Sequence, residues 1–311
     1  MSFSHPSRDA IVATAQETIA RGSKSFNVAS KLFDRRTRER AWLLYAWCRA
    51  CDDLADGQVF GGALGSGGDV TVLRDLTDRA LAGEWVGEAS FDGLRLLLEE
   101  VPIPRALIED HIAGFALDAD GWRPRTEADL IRYCHHVAGA VGMMMALVMG
   151  VSPDDCDTTE RADHLGIAFQ LANIARDVRE DADGGRCYLP EEWLEDLGIR
   201  SSRAKARSAG TESDVRPSTT LGTSELLDHR EKIAVLTRRL ADLAADYEAS
   251  ARIGARRLPF RSRWAVLAAA GIYGDIAREV RRQGASALDH RVVTTRTAKL
   301  GWIVRAWRQA L

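Results

Sequence analysis

Two short acidic motifs carry the spacing of a metal site. The first is Asp52-Asp53-Leu54-Ala55-Asp56, and the second runs from Asn173 to Asp181 and contains Asp177. Within each motif two aspartates stand four residues apart, which places them on one face of a helix about 5–6 Å from each other. Such a pair repels and does not stabilise a helix. The spacing therefore predicts a cation between the motifs, and Mg²⁺ is the natural candidate because it combines a few carboxylates with water and substrate phosphates.

Each motif extends into a longer polar stripe along its helix. The stripes are Tyr45, Arg49, Asp52 and Asp56 in the first segment, and Gln170, Asn173, Asp177 and Asp181 in the second. Two plainer interpretations stay open at this point. The second stripe could be an ordinary solvated helix face, and Arg49 could form a salt bridge with Asp52 or Asp53, although such pairs add little stability.

Two facing acidic helices with Arg and Tyr nearby would make a diphosphate site. Mg²⁺ would neutralise the leaving group so that a carbon–oxygen bond can ionise, and Arg can bind phosphate oxygens through two hydrogen bonds. The carbocation formed needs a dry cavity with aromatic faces. The segment 137–151 contains no Asp, Glu, Lys or Arg and could wall such a cavity.

The elements that position these residues are helices. Apolar periodicity predicts helices over 8–21, 35–56, 70–83, 90–100, 104–118, 126–149, 159–184, 224–255, 260–284 and 293–309, with a short helix over 191–196. Asp34 is a candidate cap, and Thr126 with Asp129 resembles a capping box. No alternating β pattern persists, so we predict one all-α domain over 1–311 around a central apolar cavity. Mobile loops are expected near 57–68 and 201–224, where glycine or polar residues prevail.

Composition narrows the class of protein. The chain has 311 residues and a formal net charge of −3, which gives no reason to expect a nucleic-acid partner. It has no phosphate-binding loop of the G-x-x-x-x-G-K-[ST] type. Its five scattered cysteines suit a reducing cytoplasm. The apolar part of 137–151 is shorter than the roughly 20 residues of a spanning helix, so we expect no membrane span.

Five separated motifs, in order, resemble those of the squalene/phytoene synthase family. They are Gly22-Ser23-Lys24-Ser25-Phe26; Leu44-Tyr45-Ala46-Trp47-Cys48-Arg49 running into Asp52–Asp56; Tyr133-Cys134-His135-His136-Val137-Ala138-Gly139; Ala168-Phe169-Gln170-Leu171-Ala172-Asn173-Ile174-Ala175-Arg176-Asp177; and Gly185-Arg186-Cys187-Tyr188-Leu189-Pro190. The resemblance covers roughly residues 8 to 300 and is closest to the bacterial phytoene synthase branch. It implies the isoprenoid synthase helical fold.

The resemblance also implies an activity. Two geranylgeranyl diphosphates would condense head to head to prephytoene diphosphate, which would ionise, rearrange and lose a proton to give phytoene, the first committed step of carotenoid biosynthesis. It implies Mg²⁺, or Mn²⁺ in its place, and no NADPH. We name no catalytic base, because the released diphosphate could take the proton. The alternative within the family is a C30 enzyme that makes squalene, dehydrosqualene or hydroxysqualene from farnesyl diphosphate.

Site residues carry over from the family pattern one by one. Metal ligation falls on Asp52, Asp56, Asp177 and Asp181, and these act in catalysis together with Tyr45 and Arg49. Asp53 is a supporting residue, because a helix turns it about 100° from Asp52. Substrate binding falls on Ser23, Ser25, Gln170, Asn173, Arg176, Tyr273, Arg291 and Lys299. Tyr133 and Tyr188 either line the site or are core residues with satisfied hydroxyl groups.

The sequence also gives expectations about the length of the prenyl chain that the substrate carries and about where in the cell the protein acts. The small residues Ala29, Ser30, Ala138, Gly139 and Gly142 would leave room for a C20 chain. Because substrate and product are apolar, we expect peripheral contact with a membrane surface, and contact with other carotenoid-pathway enzymes is a further expectation. The last predicted helix could touch lipid or pack on the core. Relatives that keep the fold without catalysis would be expected to lose carboxylates, which this chain retains.

Overall fold

The computed structural model describes residues 5–55, 70–199 and 222–311, and within them it is built of helices without a β-strand. The first half contains α1 (Arg8–Gly22), α2 (Lys24–Ser30), α3 (Arg35–Ala55), α4 (Val70–Leu81), α5 (Ala89–Glu100), α6 (Arg105–Ala119), α7 (Glu127–Cys134), a π-helix (His135–Gly139) and α8 (Ala140–Val148). The second half contains α9 (Cys156–Asp183), α10 (Glu191–Asp196), α11 (Thr223–Asp228), α12 (Arg230–Ala255), α13 (Phe260–Gln283), a 3₁₀-helix (Gly284–Leu288) and α14 (Arg296–Ala310). The all-α prediction is confirmed.

Several helix ends follow from side-chain caps that satisfy free backbone N–H groups. Thr126 and Asp129 form the predicted capping box at the start of α7. Asp34 accepts a hydrogen bond from the backbone N–H of Thr37 at 3.0 Å, as its predicted capping role requires. Asp155 caps α9 by accepting from the N–H of Thr158, so this helix begins three residues before its predicted start.

The structure corrects three predicted boundaries. A separate short helix, α2, follows α1 directly, because the side chain of Ser23 caps it; its seven residues are too few for periodicity to reveal. The predicted helix over 126–149 contains the π-helix, and the one over 224–255 is broken at His229. The expected loop at 57–68 and most of that at 201–224 lie outside the described residues, while Thr223 already begins α11. The single-domain prediction stays a prediction.

The long helix α9 lies between the other elements and contacts α8, the π-helix, α12 and α13. Glycines set how closely its neighbours approach. A Cβ atom on Gly166 would lie 2.2 Å from the carbonyl oxygen of Ala138, and one on Gly142 would lie 2.3 Å from that of Ala162. Only glycine fits such distances, so α9 meets the π-helix and α8 backbone to backbone.

Apolar residues form two large buried clusters. One surrounds Trp47 and Phe91 and joins α1, α3, α5 and α6. The other surrounds Leu171 and Trp193 and joins α7, α9, α10 and α12. In the described parts of the chain no helix combines the length and apolarity needed to cross a membrane. An apolar cavity lies where α2, α3, α8, α9, α12 and α13 face one another.

Candidate active site

An apolar cavity of ≈ 390 Å³ lies among these helices. Most of its lining is aliphatic or aromatic, including Phe26, Phe33, Val141, Met145 and Phe169. Its polar lining includes Ser23, Tyr45, Asp52 and Tyr273. The cavity can therefore hold a long apolar chain whose polar head meets the polar residues of the wall.

The stripe on α3 is partly directed into this cavity. Tyr45 lines it and packs its ring against Phe26, with ring centroids 5.6 Å apart. Burial raises the pKa of Tyr45, which therefore remains a neutral hydroxyl donor at physiological pH. Asp52 also lines the cavity. This is the placement expected for a side chain that meets the head group of a ligand.

Arg49 makes the salt bridge that the plainer interpretation of this motif proposed. Its Nη2 lies 2.5 Å from Oδ1 of Asp53, one helical turn along α3. Asp53 is thus engaged by Arg49, and the supporting role predicted for it stays a prediction. The remaining aspartate of the motif, Asp56, lies outside the described residues.

Asp177 on α9 is held by two arginines. Arg176 Nε lies 2.6 Å from Oδ1 of Asp177, and a second nitrogen of Arg176 binds Oδ2. Arg291 also binds both carboxylate oxygens, at 2.9 and 3.1 Å. Burial alone would raise the pKa of Asp177, but the two guanidinium groups hold it below its usual value. Three predicted site residues thus meet at one point, although Arg291 lies 114 positions away in the chain.

Asp181 lies one turn further along α9, where the effects that raise its pKa exceed those that lower it. Burial, and then repulsion from Asp177, raise the pKa of Asp181 to about 7. A half-buried carboxylate that resists ionisation is a site that a cation would stabilise. Gln170 and Asn173, the other members of this stripe, are also half-buried on α9.

The donor set fits Mg²⁺, since it consists of carboxylate oxygens. Within residues 5–55, 70–199 and 222–311 these aspartates do not gather as a compact group of three ligands. Mg²⁺ does not need such a group, because it commonly binds one or two carboxylates and completes its shell with water and substrate phosphates. The residues fit a metal that is shared with a diphosphate.

Tyr273 on α13 packs against α9 in the wall of the cavity. Its ring stacks on that of Phe169 with centroids 4.2 Å apart, and both residues line the cavity. Burial raises its pKa, and the charge of nearby Arg176 opposes this effect. Phe169 was not predicted as a site residue. It lies one turn before Asn173 on α9, but as an apolar residue beside Gln170 it gave no polar signal that would have marked it.

Ser23 lines the cavity and also accepts a hydrogen bond from the N–H of Phe26. The structure does not describe the side chain of Ser25. Lys299 is half-buried on α14 and is not among the residues that line the cavity. Their predicted roles in substrate binding stay predictions.

Tyr133 and Tyr188 are brought together away from the cavity lining. Their rings stack with centroids 4.9 Å apart, and both hydroxyls donate to Asp118 at 2.9 Å. Burial and the adjacent carboxylate raise the pKa of both hydroxyls. Tyr188 also borders a small hollow beside Asp181. Of the two interpretations left open, the structure favours buried residues with satisfied hydroxyl groups.

Three of the five small residues predicted near the cavity line it: Ala29, Ala138 and Gly142. Ser30 instead lies in the core, where its hydroxyl oxygen accepts from Nε1 of Trp42 at 3.0 Å. Gly139 packs against Asp163. Helix geometry explains the difference, because neighbouring residues face about 100° apart.

Comparison with known proteins adds independent findings. The family model described as "Squalene/phytoene synthase" matches residues 19–298. A 15-cis-phytoene synthase of Pantoea ananas is 40% identical over 96% of this chain and 91% of its own length. Another 15-cis-phytoene synthase, from a Paracoccus species, is 40% identical over 94% of this chain and 89% of its own length. The crystal structure of a dehydrosqualene synthase in complex with a ligand superposes with a TM-score of 0.77 at 25% identity and covers 96% of both chains.

Proposed function

Because the chain belongs to the squalene/phytoene synthase family, we propose that this prenyltransferase carries out the 15-cis-phytoene synthase reaction. Two geranylgeranyl diphosphates condense head to head to prephytoene diphosphate with release of one diphosphate. The intermediate loses its diphosphate, rearranges and gives up a proton to form phytoene. Loss of the proton completes the reaction, so no reductant is consumed.

Sequence similarity favours this reaction over the C30 alternative. The phytoene synthases match at 40% identity over nearly the whole chain, whereas the dehydrosqualene synthase structure matches at 25%. The observation that carries the proposal within the structure is the apolar cavity with Tyr45, Asp52 and Tyr273 in its wall. This arrangement suits a prenyl chain with a diphosphate at one end.

The aromatic residues of the cavity have a role in the proposed reaction. Phe26, Tyr45, Phe169 and Tyr273 bring aromatic rings to the lining. Ring faces attract cations by about 0.5–2 kcal/mol each, most strongly where water is excluded. In an otherwise apolar cavity they can stabilise an allylic carbocation without offering a nucleophile that would trap it.

Asp52, Asp177 and Asp181, with Asp56 assigned from the sequence, would hold Mg²⁺ here. A bound Mg²⁺ supplies charge neutralisation for the leaving diphosphate. Arg176 and Arg291 already converge on Asp177, and each fork of N–H donors also matches the oxygens of a phosphate. The hydroxyl of Tyr45 and the side chain of Ser23 lie in the wall of the same cavity and can donate to the head group.

We also infer peripheral contact with a membrane surface through α14. Leu300, Val304, Trp307 and Leu311 are exposed at intervals of four, three and four residues, which makes one apolar stripe. The segment from Arg296 to the C-terminus has no Asp or Glu side chain and carries four basic residues. An apolar face flanked by cations suits an anionic lipid surface. A cytoplasmic location and exchange with other carotenoid-pathway enzymes belong to this proposal.

The product profile tests the proposed function. Purified protein would be incubated with geranylgeranyl or farnesyl diphosphate and Mg²⁺ without NADPH, and products would be separated and identified by absorption and mass. We expect phytoene from the C20 substrate. Formation of a C30 product, with no phytoene from the C20 substrate, would overturn the proposal.

Point variants test the assigned aspartates. Asp52→Asn and Asp177→Asn should each lower kcat by about 10²–10³-fold, since each removes a charged group at the reacting diphosphate. Asp75→Asn is the matched control, because this carboxylate is 68% exposed on α4. Wild-type turnover in Asp52→Asn or Asp177→Asn at saturating Mg²⁺ would refute the site assignment.

A further inference from the structure

Asp110, His135 and His136 bring three donor atoms together at the junction of α6 with the π-helix. Oδ1 of Asp110 lies 3.4 Å from Nδ1 of His136, and Oδ2 lies 3.5 Å from Nε2 of His135. All three donor atoms lie within 4.8 Å of one another, the only such group among the described residues. None of the three residues lines the main cavity, and none belongs to the aspartate motifs.

A fourth residue orients this group from α9. Oδ1 of Asp163 lies 2.8 Å from Nδ1 of His135, so the proton of a neutral ring resides on Nδ1, and Nε2, 3.5 Å from Asp110, is the nitrogen that a metal would bind in place of a second proton. A carboxylate that binds the far nitrogen of a histidine is the usual partner of a metal-binding imidazole. Gly139 leaves the room for it, because a Cβ atom there would lie 1.8 Å from Oδ1 of Asp163.

Hydrogen bonding accounts only in part for the position of His136, whose ring bonds the backbone of Asp110. Its Nδ1 is buried and has no hydrogen-bond partner, although Asp110 is 3.4 Å away. A buried polar atom left in this state destabilises the fold unless a ligand satisfies it. The π-helix brings the rings of these adjacent residues to the same carboxylate, with centroids 5.5 Å apart, and such helices occur frequently at functional sites.

The separations suit tetrahedral coordination. Bonds of about 2.0–2.1 Å to nitrogen and oxygen put neighbouring ligands of a tetrahedron about 3.3–3.4 Å apart. The two imidazole nitrogens lie at distances close to this edge from the Asp110 carboxylate, 3.4 Å for His136 to Oδ1 and 3.5 Å for His135 to Oδ2, so each nitrogen faces its own oxygen. Two imidazoles with one carboxylate favour Zn²⁺ or a similar transition metal over Mg²⁺, which prefers oxygen ligands.

We propose that Asp110, His135 and His136 form a transition-metal site of the Zn²⁺ class, oriented by Asp163 and separate from the aspartates assigned to Mg²⁺. The ion is bound by three side chains and has its fourth position open to water. It joins α6 to the π-helix directly before Val137 and Ala138, which line the cavity. The site thus fixes one part of the cavity wall from behind.

Cobalt spectroscopy tests the proposal on the full chain. Metal-stripped protein would be titrated with Co²⁺ in a large excess of Mg²⁺, which keeps the aspartate motifs occupied by the harder ion. We expect saturation at one equivalent of Co²⁺ with visible absorption of low-coordinate, imidazole-bound cobalt, and loss of this absorption when Zn²⁺ is added. Asp163→Asn should weaken binding about 10–100-fold.

Variants separate this site from the other. His136→Gln and His135→Gln should each abolish the absorption, whereas Asp177→Asn should retain it. Circular dichroism of each variant establishes that it is folded, and should one histidine variant not fold, the other decides. Absence of the absorption in the wild-type chain, its persistence in a folded histidine variant, or its loss in Asp177→Asn would each overturn the proposal.

Discussion

Replacing Ala29 with Phe should shift the preferred substrate from C20 to C15. Ala29 lies between Phe26 and Phe33 in sequence, and all three line the cavity. About 9 Å of helix, at 1.5 Å per residue, separates Ala29 from Ser23. We therefore expect Ala29 to contact the prenyl chain beyond the diphosphate end.

The size of the effect follows from the carbon atoms displaced. Phe adds a six-carbon ring where one prenyl unit has five carbons. If the ring excludes one unit, about five buried carbons at about 0.8 kcal/mol each are lost, or ~4 kcal/mol. This corresponds to a ~10³-fold lower kcat/KM for the C20 substrate. Rotation of neighbouring side chains will recover part of the loss, and we expect the C20 to C15 ratio to fall by at least about tenfold, or 1.4 kcal/mol.

The assay is direct competition between the two diphosphates with both products quantified. Val28→Phe is the matched control, since this neighbour on α2 is 50% exposed and its ring would point to solvent. An unchanged C20 to C15 ratio in an Ala29→Phe protein with the melting temperature of the wild type would refute the inference that Ala29 contacts the prenyl chain. A shift of equal size in Val28→Phe would do the same.

Three further predictions concern packing, charge and lipid. Gly166→Ala should lower the free energy of unfolding by about 1–3 kcal/mol through overpacking. The control Gly301→Ala, with nothing within 4 Å of its added carbon, should raise the free energy of unfolding by up to about 1 kcal/mol. Denaturant titration compares the two variants, and equal effects would contradict the close helix contact. Asp181 has a folded pKa of about 7, above its unfolded value, so its contribution to the stability of the metal-free protein is lost as pH rises through 7. The variant Asp181→Asn should therefore stabilise the metal-free protein at pH 8 by about 2–4 kcal/mol while abolishing turnover. An unchanged melting temperature of this variant in EDTA would refute the prediction. Val304→Glu should weaken binding to phosphatidylserine vesicles, measured by sedimentation, about tenfold, because an apolar contact is lost and the new carboxylate is repelled by the anionic lipid. The control Val235→Glu, at an exposed position on α12, should leave binding unchanged. Equal binding by both variants would refute α14 as the membrane-binding face.

Periodicity and capping residues were enough to predict most helices, because those signals are local. The capping box of Thr126 and Asp129 could be assigned from four residues. Helix α2 was missed because seven residues span only about two turns. The π-helix was missed because its sequence, His135 to Gly139, carries no periodic sign of an extra residue in the turn.

Only part of the site could be predicted from the sequence, again because sequence patterns reveal relations between residues that are near each other in the chain. The stripes on α3 and α9 could be recognised because their residues are close in sequence. Arg291 was assigned to the site by family resemblance alone, and its contact with Asp177, separated by 114 positions, was not predicted, since spacing alone cannot bring the two together. The sequence left open whether Arg49 pairs with Asp52 or with Asp53, and the structure pairs it with Asp53. The pairing of Tyr133 and Tyr188 through Asp118 depends on three segments meeting, which no local pattern indicates.

The backbone contact of α9 with the π-helix and α8 has a consequence for how this cavity can change during evolution. Where Gly142 and Gly166 hold two backbones together, no layer of side chains remains that could be enlarged, reduced or re-oriented. That wall can vary only through the residues that project from it. The part of the lining that includes Ala29 and Ala265 is built of replaceable side chains. Lineages that alter product length should therefore accumulate their substitutions on α2 and α13 while the glycine contact stays invariant.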